Sequence, residues 1–511
     1  MSNQSLKSEV KSVGRHSLIY MLGPALSKIV GFVLIPVYTR FIAPDEFGVM
    51  SIVDVAMTLT MMLLSMGIGD SMARFYYAET CPLERRRLVS TVLLGPSLIS
   101  LPLILLIVWL AGAACPWLGV GPQYEPYLRI AMLAAWCSML TEVGLAYLRM
   151  QYFAKTFVAV VTAQIVATVS LNLMFVVVWQ QGIWGILYST LIVQAILAVA
   201  LTVGILWVNH ARPAMHHLRH LLAFGLPLVP SVVTLQLSNY LNPLMIRWCV
   251  IGDPISVLAQ VGLFSAGQKI GVVVNRFVTV PFNAFWRPRR MELAMQDGPE
   301  VRKILARICT YSTLVSAQVA LLISVSVEDG LRLCVDERYW SAYQVVPLIA
   351  MAYVVLGLEH HFSTGMYRSR RTIWATWIGL ISLLTMVVAN LVLLPRTGMV
   401  GAAFSSLLAI SLRVGMIYAV SQKAYSIPFE IKRLVILGIS AVALYSMSQW
   451  VHIDAAEMSL AARTGCGLLL LPTLWVCGFF HASERATAWE ALAKHVAFLG
   501  PYRQSPADCD R

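Results

Sequence analysis

Lys28, Lys269, Arg276 and Arg413 lie deep inside long apolar stretches of the sequence, and Asp54, Glu142 and Glu359 lie within others. A charge held at the centre of a bilayer-length apolar helix costs about 2.5 to 3.5 kcal/mol on the insertion scale. Each of these groups therefore needs a partner or a wet cavity. Lys269 and Arg276 are seven residues apart, two turns, which sets them on one face of their helix. The same spacing lets Glu142 and Arg149 pair through one intervening group. Arg247, near the end of its stretch, and Arg74 and Arg149, at the mouths of theirs, complete a set of fixed cations suited to charge-assisted binding of an anion. In low dielectric a carboxylate can instead carry a proton or coordinate sodium, so Asp54, Glu142 and Glu359 are candidates for ion coupling.

Two other clusters carry less. His210, His216, His217 and His220 are interleaved with Arg212 and Arg219, and read as a basic interfacial helix rather than a metal site. His360 and His361, beside Glu359, read as interfacial. The 9 cysteines are scattered with no C-x-x-C pair, so neither a zinc knuckle nor a disulfide framework is expected, and no cofactor is implied.

The elements that must hold these charges are membrane helices. Over 511 residues the hydrophobic types make up 58% and the charged types 12%, with a mean hydropathy of +0.73. An ordinary soluble domain has about 25% charged residues, so a cytosolic enzyme, a coiled coil and a disordered chain are excluded. Apolar runs of about 20 residues rather than about 10 alternating ones indicate helices, not a barrel. Lys7, Lys11 and Arg15 precede a run of span length with no A-x-A cleavage site, which reads as a retained first helix.

Spans are expected at 18 to 38, 49 to 69, 89 to 111, 127 to 148, 157 to 179, 183 to 208, 221 to 250, 258 to 285, 304 to 327, 341 to 361, 372 to 393, 399 to 420, 434 to 450 and 459 to 480, fourteen in all. With the N-terminus inside, most of the 38 Lys and Arg fall on inward segments, and the outward loops carry Arg40, Arg332, Arg338 and Arg396. The positive-inside rule then makes both termini cytoplasmic. It also accounts for the net charge of +13, leaving nucleic acid without support as a partner. The outward loops are all short. An extracytoplasmic catalytic domain has no room, and binding or transport is favoured over catalysis.

The chain also repeats itself. Gly182-Ile183-Trp184-Gly185-Ile186-Leu187-Tyr188-Ser189-Thr190-Leu191 aligns without gaps with Gly398-Met399-Val400-Gly401-Ala402-Ala403-Phe404-Ser405-Ser406-Leu407. Upstream of each lies an intramembrane asparagine, Asn172 and Asn390, at offsets that differ by two residues, and Arg40-Phe41 has a looser echo in Arg247-Trp248. Two like-oriented halves of six spans follow, 18–208 and 221–420. They are joined by a cytoplasmic connector at 209–220 and followed by two further helices within 434–480, with cytoplasmic tails at 1–17 and 481–511. Facing parallel halves imply a central cavity and alternating access.

The stretch Leu34-Ile35-Pro36-Val37-Tyr38-Thr39-Arg40-Phe41-Ile42-Ala43-Pro44-Asp45-Glu46-Phe47-Gly48 resembles the span 1 to span 2 signature of bacterial polysaccharide flippases, the Wzx-like O-antigen repeat-unit flippases. These belong to the MATE-like multidrug/oligosaccharidyl-lipid/polysaccharide exporter superfamily. Gly67 through Tyr76, Phe224 through Pro230 and Asn390 through Ala403 fit as well, so the resemblance covers roughly residues 15 to 420. It implies an all-α inner-membrane flippase that carries an undecaprenyl-pyrophosphate-linked oligosaccharide repeat unit to the outer leaflet, driven by a proton or sodium gradient. Membrane lipids, a polysaccharide polymerase and a chain-length regulator are the implied partners. The anionic, hydroxyl-rich cargo would be met by Lys28, Arg74, Arg149, Arg247, Lys269, Arg276 and Arg413. Relatives carry an Asp-Arg pair near the outer end of span 7, where this chain reads Asn239-Tyr240-Leu241-Asn242-Pro243, with Arg247 further on. Among alternatives, a drug/cation antiporter would want a carboxylate-rich cavity. A lipid II flippase would match the two extra spans. A membrane polymerase lacks its outer loop.

Overall fold

The structure, a computed structural model, describes residues 34–485 apart from 152, 297, 370–372, 452, 454 and 483. Its described elements are all helices. The first half contains α1 (Ile35–Phe41), α2 (Pro44–Ser65), α3 (Ile68–Ala78), α4 (Pro82–Trp109), α5 (Ala111–Leu118), α6 (Glu125–Met150), α7 (Ala154–Asn172) and α8 (Ile183–Asn209). A connecting helix α9 (Met215–Gly225) leads to α10 (Val229–Cys249), α11 (Pro254–Gly271), α12 (Val280–Gln296), α13 (Pro299–Cys334), α14 (Val346–Phe362), α15 (Thr364–Arg368), α16 (Ile373–Thr397) and α17 (Met399–Ala424). The chain ends, as described, with α18 (Ile431–Ser448), α19 (Ala456–Leu468) and α20 (Leu470–Val476). Proline opens α2, α4, α11 and α13, where its missing N–H costs no hydrogen bond. Asp253 caps α11 by accepting from the backbone N–H groups of Ile255 and Ser256.

Twelve helices among the described residues are long and apolar enough to cross a membrane, not the fourteen expected. The first expected span, 18 to 38, lies almost wholly outside the described residues, and Lys28 with it. The seventh is present as the helix α10, which is not among the twelve. Large side chains such as Leu98, Leu105, Ile196, Val199, Leu384 and Val388 are exposed, the surface of a protein whose solvent is lipid. Successive spans alternate in direction. One face therefore gathers Arg40, Arg332, Arg338 and Arg396 and is poor in basic charge, though it carries carboxylates such as Asp45, Glu46, Asp253 and Asp336, and the opposite face carries the basic connectors.

The duplicated motif has a backbone reason. Gly182 and Gly398 both take up positive φ with extended ψ, 55° and −128° in one, 57° and −139° in the other, just before α8 and α17. Only glycine occupies that region without strain, and it turns each helical hairpin back on itself. Between its asparagine and this glycine the first copy is two residues longer. It takes up the excess in a π-wound turn at Leu173–Val178 and in Gln180, whose φ is 51°. The asparagines repeat as well. In the first half Asn172 donates to the Tyr38 hydroxyl at 2.8 Å and accepts from Ser189; in the second, Asn390 donates to Asn242 at 3.0 Å, and Asn242 donates to Ser406 at 2.6 Å. Each half thus has its first, fifth and sixth helices stitched by buried amide and hydroxyl groups.

The last helices are pinned to α13 at both ends by buried arginines. Near the charge-poor face Arg463 pairs with Glu328 at 2.6 Å and lies 3.6 Å from Asp329, which accepts from Ser459. Arg463 is thus a structural ion pair, not a headgroup contact. At the basic face Arg433 pairs with Glu430 and Glu484 at 2.9 and 3.0 Å and lies over Phe479 and over Tyr311 of α13, while Thr310 of α13 donates to Glu430 at 2.7 Å.

Candidate functional site

The halves meet most closely near the charge-poor face, where α2 crosses α11. A Cβ on Gly48 would lie 2.9 Å from the Leu258 carbonyl carbon, and one on Gly262 would lie 2.9 Å from the Gly48 nitrogen. Two glycines at the crossing let the backbones touch. Three further contacts seal this face. The buried Tyr339, from the turn between α13 and α14, donates to the Ile42 carbonyl at 2.9 Å and sets its ring edge-on to Phe47. Arg247 donates through Nε to the Gly119 carbonyl, and Trp248 donates through Nε1 to the Trp117 carbonyl at 3.0 Å.

Along the same crossing, toward the basic face, lie Asp54 on α2 and Lys269 on α11. The Lys269 Nζ is 4.5 Å from the centroid of the Phe47 ring, and the ammonium is within electrostatic reach of both Asp54 and Arg276. Asp54 also acts on Tyr38, so the first half's asparagine network borders this charge pair. Arg276 lies beyond the end of α11 in a π-wound turn at Asn275–Thr279, and is exposed. The unbroken helix assumed for Lys269 and Arg276 is therefore interrupted, though the two remain electrostatic neighbours. Wide turns of this kind recur at functional sites because they re-aim side chains that a regular helix would stack.

A cavity of about 360 Å³ opens within the second half, with Asn242, Gln268, Asn275, Tyr353, Glu359 and Arg413 among its lining residues. Arg413 and Glu359, expected to act apart, form an ion pair at 2.8 Å. Glu359 Oε2 and Arg413 Nε are left buried without a protein partner, so the pair retains hydrogen-bonding capacity. A second cavity of about 270 Å³, toward the basic face of the first half, is lined by Glu142 and Arg149 with Ser65, Met139 and Val229. Glu142 and Arg149 meet directly at 3.7 Å, with no intermediate, and both are exposed.

The remaining candidates are dispersed. Arg74 stacks on Phe224 of the connecting helix at 4.3 Å, which fixes it on that helix. Arg247 is spent on the charge-poor seal. The structure therefore sets Lys269 within electrostatic reach of Asp54 and Arg276 without a direct ion pair, pairs Arg413 with Glu359 and Arg149 with Glu142, and leaves Arg74 and Arg247 elsewhere. Asn242, Gln268 and Tyr353 were not anticipated as lining residues. Asn242 had one signal, its place in the polar stretch 239–243 inside an apolar span.

A sequence profile for the family described as polysaccharide biosynthesis protein matches residues 13–294, more than half of the chain. The chain belongs to that family. The assignment is that of a transporter, not an enzyme. No curated protein matches by sequence. Among solved structures, a lipid II flippase, MurJ, in an inward closed conformation superposes with a TM-score of 0.72 at 11% identity, covering 90% of this chain and 98% of that one. An inward-facing multidrug resistance MATE family transporter of the MOP superfamily superposes with a TM-score of 0.57 at 12% identity, over 80% and 97%. A crystal structure of a MATE point mutant gives 0.52 at 14% identity, over 81% and 95%. At these identities the likeness is one of fold: an all-α, multi-pass membrane protein with MATE-like structural relatives.

Proposed function

We propose that this family member is a flippase that moves an undecaprenyl-pyrophosphate-linked oligosaccharide repeat unit across the bacterial inner membrane. The observation that carries the reading is the cationic group Lys269 with Arg276, held at the seam between the halves behind a face sealed by Gly48, Gly262 and Tyr339. A pyrophosphate is strongly anionic, and a fixed ammonium and guanidinium in low dielectric bind it through charge-assisted hydrogen bonds. Six-helix halves at 18–208 and 221–420 rock about this seam, the basic face is cytoplasmic, and the sealed face is the periplasmic one. Lys28, Arg149 and Arg413 serve the cargo alongside, and Arg74 and Arg247 act on the two faces of the gate. Asp54 competes for Lys269. Ion uptake at Asp54 frees the ammonium for cargo, and Glu142 and Glu359 stand in the same relation to Arg149 and Arg413.

The experiment is lipid analysis of a deletion strain complemented with Lys269→Ala or Arg276→Ala. Cytoplasm-facing lipid-linked repeat units accumulate and surface polymer is lost, with membrane levels of the protein unchanged. Normal polymer from both variants would remove these residues from the mechanism. Lipid II is the second candidate cargo, favoured by the fold likeness that extends over 90% of the chain. It is separated by whether peptidoglycan precursors, rather than repeat units, build up.

A further inference from the structure

The connecting helix α9 begins with a feature that the transport reading does not use. Glu84, in the first turn of α4, is brought against His216 and His217 in the first turn of α9, and the three ligand atoms lie within 4.8 Å of one another. Glu84 Oε2 is 3.0 Å from His217 Nε2 and 3.8 Å from His216 Nε2. Tetrahedral zinc, with Zn–N and Zn–O bonds near 2.1 Å, sets neighbouring ligand atoms about 3.4 Å apart. The two carboxylate–imidazole edges bracket that value, and the third edge closes by rotation of the exposed His216 ring.

Three further features match a built site. Glu84 divides its oxygens: Oε1 accepts from Arg87 at 2.7 Å while Oε2 faces both imidazoles, so a metal on Oε2 would find its carboxylate ligand already oriented from outside. The start of α9 is fixed over α4, because the backbone N–H of Ala214 donates to the Thr91 hydroxyl at 2.9 Å. His217 is buried and His216 is half in solvent, giving one anchored ligand and one accessible side for the ion and its water. Sequence spacing alone did not disclose this, since the carboxylate comes from another helix.

We infer that Glu84, His216 and His217 form a binding site for a divalent zinc ion, completed by water, that clamps the connecting helix to the first half. Two imidazoles and one carboxylate suit zinc, not magnesium or calcium, which take oxygen ligands. The helix α9 leads directly into α10, the first helix of the second half, so the ion holds the joint across which the halves must move. The site shares no residue with the charge seam.

The test is zinc titration, against a chromophoric chelator, of the full-length protein purified without a polyhistidine tag. The expected result is one tight zinc per chain. His216→Ala and Glu84→Gln should weaken it by about 100-fold or more, and Arg87→Ala, which removes only the outer support, by about 10- to 100-fold. Cobalt substitution should give the visible absorption of a tetrahedral ion in the wild type and not in His216→Ala. Zinc should also slow tryptic cleavage at the exposed Arg219 in the wild type alone. His216 is exposed, so its replacement leaves the fold intact, and matching size-exclusion profiles without metal verify that. Equal zinc content in the wild type and the His216→Ala, His217→Ala double variant would overturn the assignment, as would wild-type protein that binds no zinc.

Discussion

Adding one methyl group at the α2–α11 crossing should open the charge-poor face. In Gly48→Ala the new Cβ lies 2.9 Å from the Leu258 carbonyl carbon and 3.2 Å from the Gly262 nitrogen, where ordinary contact begins at 3.4 Å, and the Leu258 oxygen is nearer still. All of these are backbone atoms within helices, so no side chain can move aside and the helices themselves must separate. Overpacking of this kind costs about 1 to 3 kcal/mol. That is roughly a 5- to 150-fold shift in the balance between a state sealed here and one parted here. The sign is diagnostic, because Gly→Ala in an unconstrained helix stabilises by up to about 1 kcal/mol. Gly415→Ala provides that control, as nothing lies within 4 Å of its added methyl. Spin labels at Gln123→Cys and Ile251→Cys, on opposite halves of this face, give the distance distribution by double electron–electron resonance in a background free of native cysteines. Gly48→Ala and Gly262→Ala should each populate a longer distance, and Gly415→Ala should not. Wild-type distributions in both seam variants would refute the reasoning that this crossing closes the face.

Gly182→Ala and Gly398→Ala should each lower thermal stability in detergent, by about 1 to 3 kcal/mol for the strained turn they share, with Gly398→Ala the larger loss because its methyl would also displace the Gln260 amide that accepts from the Met399 N–H; a harmless substitution at either would break the equivalence of the copies. Removing one partner of the half-enclosed Glu359–Arg413 pair should cost about 3 to 5 kcal/mol, with much of it recovered in the double variant Glu359→Leu, Arg413→Met. Thermal unfolding of the single and double variants decides this, and additive losses would show that the two groups act separately. Burial opposes ionisation of Glu430 and Glu484, but hydrogen bonds from Thr310 to the first and Tyr311 to the second, with the Arg433 charge, outweigh it and hold both below the usual carboxylate range. A carboxylate lowered in the folded state contributes stability above its unfolded pKa and loses it as pH falls through the folded one. The anchoring of the last helices should therefore be intact at neutral pH and fail only below about pH 4, as followed by unfolding between pH 7 and 3; loss already at pH 6 would contradict the assignment.

The helical membrane class, the bias of basic residues to one face, and the repeated glycine motif were legible in the residues because each depends on local rules. Apolar runs of bilayer length must become helices to satisfy their backbone, and lysine and arginine mark one face. The glycine-bounded motif was legible because Gly182 and Gly398 answer a single backbone requirement, independent of what surrounds them. Span 7 was legible as well, though it contains Asn242 and Pro243. The polar Asn242 is tolerated because it is buried against Asn390 and Ser406, a fact no window along the chain contains.

Which charges face which was decided only by the tertiary structure. Mid-span position told that Lys269, Arg413, Asp54 and Glu359 each needed compensation, because the cost of an unpaired charge in low dielectric is fixed by its depth. It could not tell that Arg413 finds Glu359, that Asp54 and Lys269 come from opposite halves, or that Glu84 meets two histidines 132 and 133 residues further on. Position along a helix sets the energy a charge must recover. Only the crossing of helices, governed here by glycine at 48 and 262 letting two backbones touch, sets the partner from which it is recovered.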